Sequence, residues 1–200
     1  MRLAKTTFLL ALLLVVTGCS VNKVSRVALP NSYVVSAGES AADMPKVGLV
    51  VDEALSSVVA RAIQQQSALK YDFEFALGRD IGRTLPQYLN SFTKVQHVRS
   101  VDQGGEYDWL IVPTLSNDFF INIRQSAGPT YDLEIVLDVL ILKAQRYVDR
   151  VIVKERRRIE ISAFENQDDE RTALMQTIYE DQIASLYESL RQELLIVFNK

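Results

Sequence analysis

The sequence predicts a two-layer α+β domain, a mainly antiparallel sheet of about four to five strands covered on one face by two long helices. Three observations carry that prediction. Through the last segment, Leu174, Ile178, Gln182 or Ile183, Leu186, Leu190, Leu194 and Val197 or Phe198 recur at helical spacing. Just before it, "TYDLEIVLDVLILKA" and "VDRVIVKERRRIEISAF" are two long extended runs joined by a short link, the pattern of an antiparallel hairpin. Earlier, Ile81, Leu85, Leu89 and Phe92 form a second helical stripe, directly after the alternating segment "KYDFEFALG".

The elements follow in chain order, beginning with a leader. Arg2 and Lys5 precede the apolar run Phe8 to Val16, and the small residues Thr17 and Gly18 follow it. A helix that crosses a bilayer needs about 20 apolar residues, so this run is too short to span and has the shape of a cleaved export signal. The single cysteine of the chain, Cys19, comes next. Val16-Thr17-Gly18-Cys19 resembles the lipobox of bacterial lipoproteins, which implies cleavage before Cys19 and acylation, including palmitate, on it. Ser20 stands where an Asp would resemble an inner-membrane retention signal, so the resemblance implies an outer-membrane, periplasm-facing location. Two or more acyl chains hold stably, since each buried methylene contributes about 0.8 kcal/mol.

Residues 1–18 are therefore expected to be the signal peptide, 19–45 a lipidated N-terminus and tether, and 46–200 a periplasmic α+β domain. Residues 20–45 mix Ser, Asn, Ala and Gly with two prolines, and Tyr33 to Val35 fits a short edge strand within them. "KVGLVVDEAL" reads as a buried strand, and "SSVVARAIQQQSA" as a short helix or a loop. Tyr71, Phe73 and Phe75 alternate with Asp72 and Glu74, which makes that segment extended. The helix after Gly78 contains Pro86, so it is kinked or starts later than its stripe suggests. "DWLIVPTL" is a strand whose Pro113 marks a bulge or an edge, "FFINI" is its continuation, and "SAGP" is a turn. "NQDDE", Asn166 to Glu170, supplies caps and negative charge at the start of the closing helix.

Composition narrows the function. Of 22 basic residues, Arg2 and Lys5 leave with the signal peptide, so the mature chain has 20 against 25 acidic ones and a net charge of −5. That balance does not suit nucleic acid. One cysteine closes no internal disulfide, and the core must supply stability. His97 is the only histidine, with no nucleophile elbow and no thiol beside it, so catalysis is not expected. One His and a lipid-committed Cys make no zinc site. Asp132, Glu134 and Asp138 share a strand face without the spacing of a calcium loop, which reads as a solvated face. "ALGRDIGR" lacks both the Walker lysine and the dinucleotide glycine spacing, so no cofactor is expected.

Two features suit a binding role. Alternation along "KERRR" sends Arg156 and Arg158 to one face with Lys154, where guanidinium groups can take anionic ligands or headgroups. The plainer reading is charge that keeps an exposed strand soluble. Phe119 and Phe120 are adjacent, so on a strand one of them faces away from the other and is a candidate partner contact.

Assembled, the chain looks like the small envelope lipoproteins of diderm bacteria. "FALGRDIGRTLPQYLNSFTKV" followed by "YDWLIVPTL" resembles the helix-then-strand core of YajG-like lipoproteins. The arrangement of elements is similar to the auxiliary lipoproteins of ABC-type lipid transporters and to the LPS-assembly lipoprotein LptE. The resemblance implies a non-enzymatic accessory with an envelope protein partner, in envelope transport or assembly. The alternative is an outer-membrane lipoprotein that activates a periplasmic or cell-wall synthase.

Overall fold

A computed structural model describes residues 23–34, 45–66, 69–115, 130–144, 146–160 and 168–199. The chain forms strands β1 (Lys23–Val27) and β2 (Lys46–Val50), a one-turn helix α1 (Glu53–Ser56), and strands β3 (Ala60–Gln66) and β4 (Leu69–Phe75). Helix α2 (Leu77–Leu89), β5 (Lys94–Val98), a 3₁₀ turn (Val101–Glu106) and β6 (Trp109–Leu115) follow. The long strands β7 (Thr130–Lys143) and β8 (Arg146–Glu160) lead to α3 (Asp168–Phe198).

The domain is α+β, with a five-stranded mixed sheet in the order β5-β2-β6-β7-β8 and the two longer helices, α2 and α3, packed against it. Expected as mainly antiparallel, the sheet is antiparallel at β6-β7-β8 and parallel at β5-β2-β6. Hairpins are local and leave a sequence signature, whereas a parallel pair needs a crossover, here β2 to β5 through α2. A second, three-stranded sheet, β1-β4-β3, was not foreseen. Its β3 covers "ARAIQQQ", read as a short helix or loop because its polar run lacks a stripe of either period.

The segment expected as tether is partly built into the domain. Its strand lies at Lys23–Val27, parallel to β4, and not at Tyr33 to Val35: Tyr33 follows a turn at Asn31 and Ser32 outside any strand, and Val35 lies outside the described residues. Val27 is fully buried, which anchors a strand whose other residues gave little hydrophobic signal.

One core joins both sheets to both helices. Leu133, Ile135, Leu137, Val139 and Ile141 of β7 face inward as alternation predicts, with Val151 and Val153 of β8, against Met175, Ile183, Leu186, Leu190 and Leu194 of α3. At roughly 1.5–3 kcal/mol for each fully buried aliphatic side chain, this interface is the main source of cohesion. Pro86 sits inside α2, one turn before its C-terminal end. Pro113 is in a central strand, but the pairing of β6 with β2 ends at Ile111, so at Pro113 only β7 flanks it. The missing N–H is tolerated there as on an edge.

The β7–β8 hairpin turns in two residues, since Lys143 pairs with Arg146. Ala144 takes the left-handed conformation the tight turn requires, with φ of 50°. That geometry costs an L-residue about 1–2 kcal/mol, which glycine avoids at some expense in unfolded-chain entropy. Ala144→Gly is therefore expected to stabilise the domain by about 1 kcal/mol, a rise of about 2–4 °C in Tm by calorimetry.

Candidate functional site

The structure concentrates its specific polar interactions where the N-terminal segment meets α2 and α3. Residues 28–34, which follow β1, lie across both helices as a strap. The backbone N–H of Leu29 donates to Asp80 Oδ2 at 2.9 Å, and that of Ala28 to Gln176 Oε1 at 3.3 Å. The Arg83 guanidinium donates to the carbonyls of Leu29, Pro30 and Asn31 at 3.0, 3.1 and 3.3 Å. Tyr33 closes the strap by donating its hydroxyl to the Glu180 carbonyl at 2.8 Å. Burial, then the charges of Glu180 and Asp181, push the Tyr33 phenol up to about 12, so it remains a donor near neutral pH.

Asp80 is the centre of this arrangement. It is 1% exposed and, besides Leu29, accepts from the Tyr179 hydroxyl at 3.4 Å. The guanidinium groups of Arg79 and Arg83 stand 3.5 and 4.0 Å from Oδ1 and offset its charge. One helical turn on, Thr84 donates to the Asp80 carbonyl at 2.7 Å. Its single hydrogen is then committed, so the buried Tyr187 hydroxyl, 2.7 Å away, is the donor to Thr84. A further turn on, Tyr88 donates to Glu188 at 3.2 Å while its ring stacks on Tyr187 at 5.0 Å. Burial raises the phenols of Tyr88, Tyr179 and Tyr187 well above the ordinary range, so the seam between α2 and α3 stays in its neutral, donating form.

A second buried polar group ties α3 to the long hairpin. The Gln182 side-chain amide, fully buried, donates to the Leu133 and Glu155 carbonyls at 2.8 and 2.9 Å. It bridges β7 and β8 from above. Neither Asp80 nor Gln182 stood out in the sequence as a site. The available signal was position: Asp80, Thr84 and Tyr88 form a polar row beside the apolar row Ile81, Leu85 and Leu89, and Gln182 falls inside an apolar stripe.

Among the residues singled out from sequence, Arg156 and Arg158 lie on exposed β8 positions, on the face of the sheet away from α3. The register sets them directly across from Glu134 and Asp132 of β7, so opposite charges pair across the two strands at these positions. Farther along it, Arg150 makes a two-point contact with Asp138, its Nε 2.8 Å from Oδ1. Hydrogen bonding from Arg150 lowers the Asp138 pKa, a fixed ion pair in place of a cation site. Ile152 is 49% exposed among these charges. Cys19, Phe119 and Phe120 lie outside the described residues.

His97 is exposed on β5, the edge strand next to β2. Among the described residues, no group of three or more His, Cys, Asp or Glu is placed to hold a metal ion. No helix among them is long and apolar enough to cross a membrane. A cleft of about 560 Å³ opens beside Lys46, Lys94, Asn90 and Tyr107, and one of about 310 Å³ beside Arg26, Glu74 and Arg79. The second also takes in Ser56 and Ser57, whose hydroxyls donate to the Asp52 and Ala54 carbonyls at 3.0 and 3.1 Å.

No family model matches the chain, and no curated protein matches it. Among solved structures, it is similar to protein XCC0632 from Xanthomonas campestris, described under the family model DUF330. The identity is 12% and the TM-score 0.44, over 88% of this chain and 97% of that one. It is also similar to a "putative lipoprotein" from Caulobacter crescentus CB15, at 16% identity and a TM-score of 0.36, over 49% of this chain and 73% of that one. Neither description names the YajG-like or LptE lipoproteins.

Proposed function

We propose that this chain is a lipid-anchored outer-membrane lipoprotein whose periplasmic domain works as a non-enzymatic binding module for an envelope protein, in transport or assembly of envelope material. One observation carries the reading: the sole cysteine ends a short apolar leader, and β1 begins at Lys23, four residues later. Acylation gives that thiol a role that metal binding, redox chemistry or a disulfide does not. Four residues reach at most about 14 Å. This opposes the alternative of a regulator that stretches from the outer membrane to a cell-wall synthase, and supports a partner that comes to the membrane.

The face of β7 and β8 away from α3, with Arg156 and Arg158, is our candidate partner contact, and Phe119 and Phe120 remain candidates as sequence neighbours of β6. The experiment has two parts. Cys19→Ala is expected to leave the precursor unprocessed and out of the outer-membrane fraction; normal partitioning and a processed N-terminus would overturn the anchor. A photo-crosslinking residue in place of Arg156 or Arg158, with Cys19 intact, is expected to capture a distinct envelope protein in cells. Capture of a cell-wall synthase would favour the alternative, and no capture at either position removes this face from the proposal.

A further inference from the structure

The two sheets give the anchor a direction. Strands β1 and β4 are parallel with Lys23 beside Tyr71, so the chain leading back from Lys23 to Cys19 leaves the small sheet on the same side as the chain leading back from Tyr71. On that side the β3–β4 ladder continues past Tyr71 to the pair Gln66 and Leu69. At about 3.3 Å per residue those two residues add about 7 Å. Cys19 has four steps to Lys23, at most about 14 Å. With the strands standing up from the membrane, the end of the β3–β4 ladder is therefore at most about 7 Å from the level of Cys19, and closer if the link is not taut.

The pairing of β1 with β4 keeps the domain within this restraint, and the strap holds the far end of β1 in place. If residues 23–34 were loose, the reach from Cys19 would grow severalfold. Instead β1 is zipped to β4 over five residue pairs, and the strap is fixed by Asp80, Arg83 and the Tyr33 hydroxyl.

Charge points the same way. In a mature chain of net −5, the described residues that the register sets at this end, Lys23, Gln64 to Gln66 and Leu69 to Tyr71, include no acidic residue. Two of them are basic, Lys23 and Lys70, whereas Arg26 and Arg61 sit across from Glu74 at the other end. Lys and Arg close to an anionic leaflet are attracted to it and held there.

We propose that this end of the small sheet, the start of β1 together with the Gln66 and Leu69 ends of β3 and β4, rests on an anionic phospholipid headgroup layer, so that the domain is held in one orientation. The inference rests on Cys19 being acylated. A swinging domain would present every face to the periplasm, whereas a seated one presents the same faces to its partner.

The test uses the full-length acylated protein in phosphatidylethanolamine vesicles containing phosphatidylglycerol, with a nitroxide on Gln66→Cys or Leu69→Cys and, for comparison, on Lys154→Cys of β8. The labels at Gln66 and Leu69 are expected to lose most of their collisions with a water-soluble nickel reagent, while the label at Lys154 keeps them. The double variant Lys23→Glu/Lys70→Glu is expected to restore those collisions. Equal exposure at all three positions, or shielding that the double variant leaves unchanged, overturns the inference. Mass spectrometry of the same preparation separates the two levels. A chain without acyl groups defeats the proposed function and this inference together; an acylated chain with exposed labels at Gln66 and Leu69 defeats this inference alone.

Discussion

Asp80→Ala is expected to destabilise the domain by about 3–4 kcal/mol and to release the strap. The substitution removes the acceptor of the buried Leu29 N–H and of the Tyr179 hydroxyl, and takes the nearby carboxylate from Arg79 and Arg83. An orphaned buried donor costs about 1–3 kcal/mol, and breaking a buried charge pair about 3–5. Arg79 and Arg83 reach water, which puts the sum near the lower end of that range. Asp80→Asn keeps one oxygen for Leu29 and should cost about half as much. Two measurements separate a clamp from a generic core residue. Denaturant unfolding gives the loss of stability, and native-state hydrogen exchange should show the Leu29 amide opening ahead of the β7–β8 ladder. If Leu29 keeps its protection in Asp80→Ala, the strap is held by something other than this carboxylate. The reach from Cys19 stays at four residues while β1 remains paired with β4; if β1 opens together with the strap, the anchor passes to β2, whose Lys46 is 27 residues from Cys19, up to roughly 90 Å.

The elements legible in the sequence were those whose stabilisation is local or periodic. Helix α3 repeats its apolar stripe over many turns, and β7 alternates Leu133, Ile135, Leu137, Val139 and Ile141 without interruption, so both emerge from spacing alone. The α+β class follows from them. What was not legible depends on partners distant in the chain. Strand β1 is set by five pairings with β4, nearly fifty residues away, and offers only Val24 and Val27 as hydrophobic signal. The Gln-rich β3 has almost no pattern of its own and is fixed by its antiparallel register with β4. The same limit applies to Asp80: on a helical wheel it borders the polar face, and only the fold shows that the strap and α3 cover it. Of the candidate site, Arg156 and Arg158 were placed on the correct shared face by alternation, but the acidic residues opposite them required the β7–β8 register.

Gly78→Ala should cost about 3 kcal/mol, against the sign that helix propensity alone predicts. In an unconstrained helix interior alanine gains about 1 kcal/mol over glycine. Gly78, however, is in the first turn of α2, where the one-turn helix α1 packs directly on the backbone. Its N–H donates to the Val58 carbonyl at 2.9 Å. A Cβ would fall 1.9 Å from the Leu55 carbonyl oxygen and 2.9 Å from the Val58 nitrogen. Both neighbours are backbone, so no change of rotamer relieves the overlap and α1 must move as a body. Overpacking of this kind costs roughly 1–3 kcal/mol and more where the surroundings are rigid, and the Leu55 side chain, buried in the same place, resists the shift. The control is four residues away. A Cβ on Gly82 would meet only the Val51 and Ser56 side chains, at 3.3 and 3.6 Å, which can yield by a few tenths of an ångström. Gly82→Ala is therefore expected to be neutral or to stabilise by up to about 1 kcal/mol. Thermal unfolding of the pair decides: Gly78→Ala should lower Tm by about 10 °C while Gly82→Ala leaves it unchanged or raises it. Equal shifts in the two variants would mean that helix propensity, and not the packing of α1 on α2, governs this corner of the domain.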